Sequence, residues 1–318
     1  MFTADTLLLW IIAGAFAALC CGTLVRFVSL RGATPDVAQS RLASLKTWWI
    51  LACLLAAAVV CGKWGILVLL CAAAVLSLRE FVGLVGREHV GMPTTIVVFT
   101  IALVYYLLLF MGYSERVRQT APMVFMIVLG GMRAWLGLIE GYLRSTAAMI
   151  WGLLLFVYCL SHACLVIETS AVSEPPVGNV GWFLFLVLLT ETNDIMQAIT
   201  GRRFGSTKIT PLVSPNKSLE GLLGGMATTT VLAVICAPWL TGLTFGRSFG
   251  AGLLVSVGAG VLISLSGFLG DINMSGIKRD VGVKDGSDLL PGQGGMIDRV
   301  DSLTFTAPVF YYFVRIVM

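Results

Sequence analysis

Long apolar runs constrain this chain more than any other feature. A helix needs about 20 mostly apolar residues to cross a hydrocarbon core. Ten candidate runs meet that need, near residues 6–27, 46–63, 65–86, 93–112, 121–139, 146–169, 178–198, 219–243, 248–270 and 301–317. The second and third are divided only by Lys63-Trp64-Gly65, and the fifth, which holds Arg133, is the weakest, so nine is the alternative count. Only 12% of the 318 residues are charged, about half the share in soluble domains, and the surplus apolar surface calls for lipid. The expected fold is all-α, a polytopic integral membrane protein with about nine or ten transmembrane helices in a single membrane domain. The first run follows an acidic rather than a basic N-terminus and is long enough to span, so no cleavable signal is read.

Outside the runs, the even-numbered loops hold only Lys63, Arg116, Arg118 and Arg247, while the odd-numbered loops hold the bulk of the remaining Lys and Arg. The positive-inside bias therefore predicts that the odd loops are cytoplasmic. A net charge of +4 with no basic stripe gives no support to nucleic-acid binding. The eight cysteines sit in apolar runs without a CxxC spacing, and only His89 and His162 exist. They are read as small buried hydrophobes, not as a zinc site or a disulfide framework. His162 is expected to be a hydrogen-bonded packing residue, Arg133 to snorkel to the interface, and Trp48-Trp49 to form an interfacial belt. Glu80, in "LREFVGL", either turns into the bundle or marks the end of its run.

Two loops, about 199–218 and 271–300, are unusual, and with two spans between them they open on one face. Residues 1–175 are read as N-terminal helical spans and 176–318 as a C-terminal catalytic half. The first loop follows Glu191 and Asp194, carboxylates at the end of an apolar span, and a carboxylate at membrane depth is expensive enough to suggest function. It continues through Gly201-Arg202-Arg203-Phe204-Gly205 to Ser214-Pro215-Asn216-Lys217-Ser218. Ser214 followed by Pro215 suits an N-cap with Pro at N1, and Ser218 is the alternative cap. A lysine in a first helical turn opposes the helix dipole unless an anion sits there. Gly221, Gly224 and Gly225 are read as close-packing positions. The second loop runs from Asp271 through Lys278, Arg279, Lys284 and Asp285 to Gly292, Gly294 and Gly295, and then Asp298, Arg299 and Asp301. Carboxylates, cations and glycines in such density suit phosphoryl or nucleotidyl transfer. A triphosphate needs Mg²⁺ held by one or two carboxylates, basic groups stabilise the transferred and leaving charge, and glycines let backbone N–H groups approach phosphates. No Walker A pattern is present.

The run Ser275-Gly276-Ile277-Lys278-Arg279, then Lys284-Asp285, then Pro291-Gly292-Gln293-Gly294-Gly295-Met296-Ile297-Asp298-Arg299-Val300-Asp301 resembles the signature of the phosphatidate cytidylyltransferases, also called CDP-diacylglycerol synthases. Asn193-Asp194, Gly201-Arg202, Phe204-Gly205, Ser214-Pro215, Lys217 and Glu220-Gly221 resemble the family pattern as well. The resemblance covers about 190–318, with the signature at 275–301. It implies that CTP and phosphatidate give CDP-diacylglycerol and pyrophosphate in phospholipid biosynthesis, with Mg²⁺ and room for K⁺ beside it. It also implies a multi-pass protein of the bacterial inner membrane and allows a homodimer. Asp271 and Asp298 are the expected metal ligands, matching the family's metal-site carboxylates. Lys217, Lys278, Arg279, Lys284 and Arg299 are expected to contact phosphates. Asp194 and Asp285 are expected to orient substrate, with Ser214, Gln293, Gly294 and Gly295 around it. Asp301 is expected to orient Arg299 or assist the metal.

Two positions depart from the family. Gln293 stands where the signature has histidine, and glutamine cannot act as acid or base. Gln197 stands where many relatives have an aromatic residue. The alternatives are transfer to another lipid phosphate, a CTP-using lipid kinase, an inactive scaffold, or a transporter. Transporters often carry inverted repeats and midplane charge. No repeat is visible here, and the charge gathers at one face.

Overall fold

The computed structural model describes residues 4–29, 35–86, 90–169, 175–284, 286, 287 and 289–318. Every apolar run becomes a helix. They are α1 (Ala4–Ser29), α2 (Pro35–Val60), α3 (Gly62–Val85), α4 (Met92–Phe110), α5 (Ser114–Trp135), α6 (Tyr142–Thr169), α7 (Val180–Phe204), α8 (Leu219–Leu240), α9 (Phe249–Asp280) and α10 (Ile297–Val317). α6 is interrupted by a π-helical stretch, Leu154–Cys159, and ends in a 3₁₀ turn, Val166–Thr169. Among the described residues no strand forms, only the isolated pairings of Lys208 with Ser218 and of Leu290 with Gly294.

Eight of these helices are long and apolar enough to cross a membrane. The two that fall short are α5, which carries Glu115, Arg116, Arg118 and Arg133, and α10, which opens with Asp298, Arg299 and Asp301. Without an aqueous driving force between lipid-embedded helices, close packing depends on small residues. α7 and α8 show this at Gly224, where a Cβ would lie 2.6 Å from Thr200 Cγ2. α9 and α10 are similarly close at Gly270, where a Cβ would lie 2.6 Å from the Asp301 carbonyl oxygen. That contact sets Asp271 of α9 beside the first turns of α10. Trp182 and Phe185 of α7 pack on Phe310 of α10, with ring centroids 6.2 and 5.5 Å apart, and Phe81 of α3 meets Phe156 of α6 edge-on at 5.6 Å.

His162 behaves as expected, fully buried, with Nδ1 2.8 Å from the Tyr158 carbonyl oxygen and rings of Tyr158, Tyr311 and Tyr312 around it. Arg133 does not snorkel. It is 2% exposed, and Nη1 donates to the Val90 carbonyl and to Thr94 Oγ1, both at 3.0 Å. Those acceptors lie just before and within the first turn of α4 and partner Nη1, while Nε is buried without a hydrogen-bond partner among the described residues. The eight cysteines are free. Cys20, Cys21, Cys53 and Cys61 lie on outward faces rather than in the core, where a small apolar side chain suits lipid as well as protein.

Candidate active site

The loop between α7 and α8 is folded by its own backbone and by Glu220. The Glu220 carboxylate accepts from Ser206 Oγ at 2.6 Å and from the Ser206 and Thr207 N–H groups at 3.1 Å. The Ile209 N–H donates to the Lys217 carbonyl at 3.2 Å, and the Leu219 N–H to that of Thr207 at 2.9 Å. Because residue 208 pairs with 218, the helix cannot begin before Leu219. Ser218 is therefore the N-cap, its Oγ accepting from the Gly221 N–H at 3.2 Å. Ser214 does not cap the helix. It sits in the preceding turn, with its N–H on the Thr210 carbonyl at 2.8 Å. Lys217 thus precedes the helix by two residues, and its side chain forms an ion pair with Asp271 and lies 5.7 Å from the centroid of the Phe268 ring. A cavity of about 480 Å³ opens here, lined by Gln197, Arg202, Lys208, Asn216, Lys217 and Ser218 among others. Three of those six are cationic.

The last turns of α9 carry Asp271, Ser275 and Lys278, spaced i, i+4 and i+7, so they share one helix face. Asp271 accepts from Ser275 Oγ at 3.4 Å on the oxygen not engaged by Lys217. Lys278 Nζ pairs with Asp298 Oδ1 at 2.7 Å, and Asp298 Oδ2 accepts from the Gly295 N–H at 3.2 Å. The Lys278 and Asp298 side chains are only 14% and 15% exposed, so each depends on the other for compensation. Asp194 and Asp301 join the cluster, since Asp271 is an electrostatic neighbour of both. Arg299 lies within electrostatic reach of Glu191. The sequence-predicted residues Lys217, Asp271, Lys278, Asp298, Asp194 and Asp301 are therefore brought together.

Other expectations are placed differently. Arg279 is exposed, and its guanidinium donates to the Val213 and Val283 carbonyls, each at 3.4 Å. Lys284 is exposed on the loop, and Asp285 lies outside the described residues. Gly294 has φ +81°, and a Cβ there would lie 2.9 Å from Asp298 Oδ2. A Cβ on Gly295 would meet Glu80 Oε2 at 2.5 Å. In this structure both glycines thus make room for carboxylates.

The Gln293 side chain bonds to α2. Its Nε2 donates to Ser44 Oγ at 2.8 Å and to the Ser44 carbonyl at 3.3 Å. One turn along α2, Thr47 Oγ1 donates to the Pro291 carbonyl at 3.0 Å. Glu80 turns into the bundle and accepts from the start of α10. Ser44 and Thr47 escaped the sequence reading. Their signal was faint, two hydroxyls at i, i+3 on a helix that is otherwise largely apolar.

A sequence profile of the cytidylyltransferase family matches residues 43–317. The chain is 36% identical over 278 residues to "Uncharacterized protein YnbB" of Escherichia coli K12, covering 85% of this chain and 86% of that protein. It is 40% identical over 141 residues to "Phosphatidate cytidylyltransferase" of Haemophilus influenzae, covering 44% of this chain and 48% of that enzyme. It is also 40% identical over 125 residues to the protein of the same name from Synechocystis, covering 39% and 40%. The matches to these two named enzymes thus span about half of their length or less, whereas the profile extends from α2 to the end of α10. The chain belongs to the cytidylyltransferase family and is a multi-pass nucleotidyltransferase.

Proposed function

We propose that the protein transfers the cytidylyl group of CTP to phosphatidate, giving CDP-diacylglycerol and pyrophosphate. The observation that supports this best is the two lysine–aspartate contacts, Lys278–Asp298 within the signature segment and Lys217–Asp271 at the edge of a basic cavity. The lipid phosphate is already anionic near neutral pH, so no strong base is required. One of its oxygens attacks the α-phosphorus of CTP in line, and the bond from that phosphorus to the bridging oxygen breaks. The electron pair leaves with pyrophosphate. What the chain must supply is position and positive charge.

Among the described residues no three His, Cys, Asp or Glu side chains form a preformed cage. Mg²⁺ does not demand one, because it binds through one or two carboxylates together with substrate phosphates and water. Asp271 and Asp298, on neighbouring helices, fit that donor set and would hold it. When bound, the ion supplies charge neutralisation at the triphosphate. Lys217 and Lys278 would then turn from their aspartates to phosphate oxygens, joined by Arg202 and Lys208 from the cavity wall. Arg299, on the first turn of α10, would face the same charge. We place this face in the cytoplasm, where CTP is found and where the Lys and Arg bias points.

The test uses purified protein in vesicles with phosphatidate or other lipid phosphates, Mg²⁺ and radiolabelled CTP. Label is expected in the organic phase as CDP-diacylglycerol, with pyrophosphate released in equal amount. Failure to form a CDP-lipid from any acceptor would overturn the reading. Label transfer only to a lipid phosphate other than phosphatidate would overturn the acceptor.

A further inference from the structure

We propose that Glu80 is a positioning residue for the signature segment, fixing Asp298 and Arg299 from a helix more than two hundred residues away in sequence. The proposal rests on the cytidylyl-transfer reading for its catalytic readout, and its geometry stands apart from it.

Glu80 lies in the last turns of α3, beside Phe81 and Val82, each 2% exposed, and is itself 9% exposed. A carboxylate so enclosed needs hydrogen-bond donors. It finds them at the start of α10. The Met296 N–H donates to Oε1 at 2.8 Å, the Ile297 N–H to Oε2 at 3.0 Å, and Ser287 Oγ to Oε1 at 2.8 Å. The first N–H groups of a helix have no partner within it, and α10 receives no side-chain cap from Met296. Glu80 supplies that cap from another helix and adds a negative charge at the positive end of the α10 dipole.

The contact also explains the signature's second glycine. Gly295 is not in the left-handed region, so its backbone alone would admit alanine. A Cβ there would lie 2.5 Å from Glu80 Oε2, 3.1 Å from Glu80 Cδ and 3.1 Å from Ser287 Oγ. The carboxylate occupies the place of the missing side chain. The Gly295 N–H meanwhile donates to Asp298 Oδ2, and Asp298 Oδ1 receives Lys278. Residues 295–297 are thus clamped between two carboxylates, with Glu80 holding their backbone and Asp298 held in turn by that backbone. Moving Glu80 moves the aspartate and the arginine that follow.

A contact that merely stabilised the fold would lower the amount of folded enzyme and leave each folded molecule fully active. A positioning residue lowers kcat per folded molecule, because a misplacement of about 1 Å costs about 100-fold. The experiment compares wild type, E80A, E80Q, G295A and the E80A/G295A double variant, all full-length in detergent and normalised to folded protein by size exclusion. Glutamine can keep one N–H acceptor and its Ser287 contact but must present N–H to N–H at the other position. E80Q is therefore expected to lose about tenfold in kcat and E80A about 100-fold. KM for CTP should change less than about threefold, since the cavity is built from α7, α8 and their loop, and the Mg²⁺ concentration for half-maximal rate should rise. G295A should resemble E80A, and the double variant should be no worse than E80A alone, because the carboxylate that the new Cβ meets is gone.

Amide hydrogen exchange over 289–299 supplies a readout that needs no catalysis. It should speed up in E80A and less in E80Q. If wild type forms no CDP-lipid, the function reading fails while this exchange still tests the clasp. Equal exchange in wild type and E80A would overturn the proposal. So would an E80A kcat within twofold of wild type, or additive losses in the double variant.

Discussion

The departure at Gln293 yields the sharpest prediction. The amide donates to Ser44 Oγ at 2.8 Å and more weakly to the Ser44 carbonyl at 3.3 Å, and Ser44 is 8% exposed. Removing these donors in Q293A costs about 0.5–1.5 kcal/mol for the stronger bond. If that loss loosens the loop in the transition state, kcat falls about 2- to 13-fold, since 1.36 kcal/mol is tenfold. The loss is bounded because Thr47 and Glu80 still hold the segment on either side. Histidine places its Nε2 at nearly the same reach as the glutamine amide nitrogen, and in the neutral Nε2–H tautomer it is a donor. Q293H should therefore keep its kcat within about threefold of wild type at pH 8, and S44A should lower both enzymes similarly. Rates are measured as label transferred from CTP to lipid across pH 6–9. A tenfold gain in Q293H, or a new titrating limb in its pH–rate profile absent from wild type, would refute the reasoning. The position would then be one for proton transfer, and the glutamine an impairment.

Three further outcomes follow from other parts of the site. In D298N the amide oxygen can still accept from Gly295 while the charge that pairs Lys278 and suits Mg²⁺ is gone, so kcat per folded molecule should fall about 100-fold or more, and the melting temperature should fall as well because the largely buried Lys278 loses its compensating carboxylate. Full activity in that variant would remove Asp298 from the metal assignment. R133M leaves the Val90 carbonyl and Thr94 without their donor, at a cost of about 1–3 kcal/mol, and should lower the melting temperature in detergent, whereas R116M at an exposed position should not. Residues 176–318 expressed alone should be inactive and regain activity when 1–175 is co-expressed, because Ser44, Thr47 and Glu80 lie in the first piece. Activity from the second piece alone would sink that expectation.

The helices were legible because apolar run length is a local property, and each of the ten runs forms a helix among the described residues. The pairing of Lys and Asp was legible as a composition but not as a geometry. The spacing i, i+4, i+7 put Asp271, Ser275 and Lys278 on one face, yet nothing local said that Lys217 would reach the first of them. Capping shows the limit more sharply. Both Ser214-Pro215 and Ser218 satisfy local cap chemistry, and only the pairing of 208 with 218 decides for Ser218. Arg133 was misread for a related reason. Its acceptors, the Val90 carbonyl and Thr94, lie about forty residues away, and a charged residue near the end of an apolar run looks the same whether it leaves the bundle or finds partners inside it.

The signature presents a physical difficulty that the rest of the fold resolves. Its glycines at 292 and 294 have φ of +70° and +81°, and Gly295 has no side chain to anchor, so the stretch has little rigidity of its own. On the proposed reading, transfer of a cytidylyl group nevertheless needs Asp298, Arg299 and Lys278 in fixed relation to the triphosphate. Rigidity must therefore come from outside the stretch. Ser44 and Thr47 hold Gln293 and Pro291 from α2, and Glu80 holds Met296 and Ile297 from α3. The family profile begins at residue 43, so it takes in all three of these groups, although the resemblance to the family signature begins only near residue 190. α10 is short of the apolar composition of a spanning helix for the same reason. Its first turns carry Asp298, Arg299 and Asp301 rather than an apolar face, and they are held by side chains of the N-terminal half that supply the hydrogen bonds that the glycines and the helix end lack.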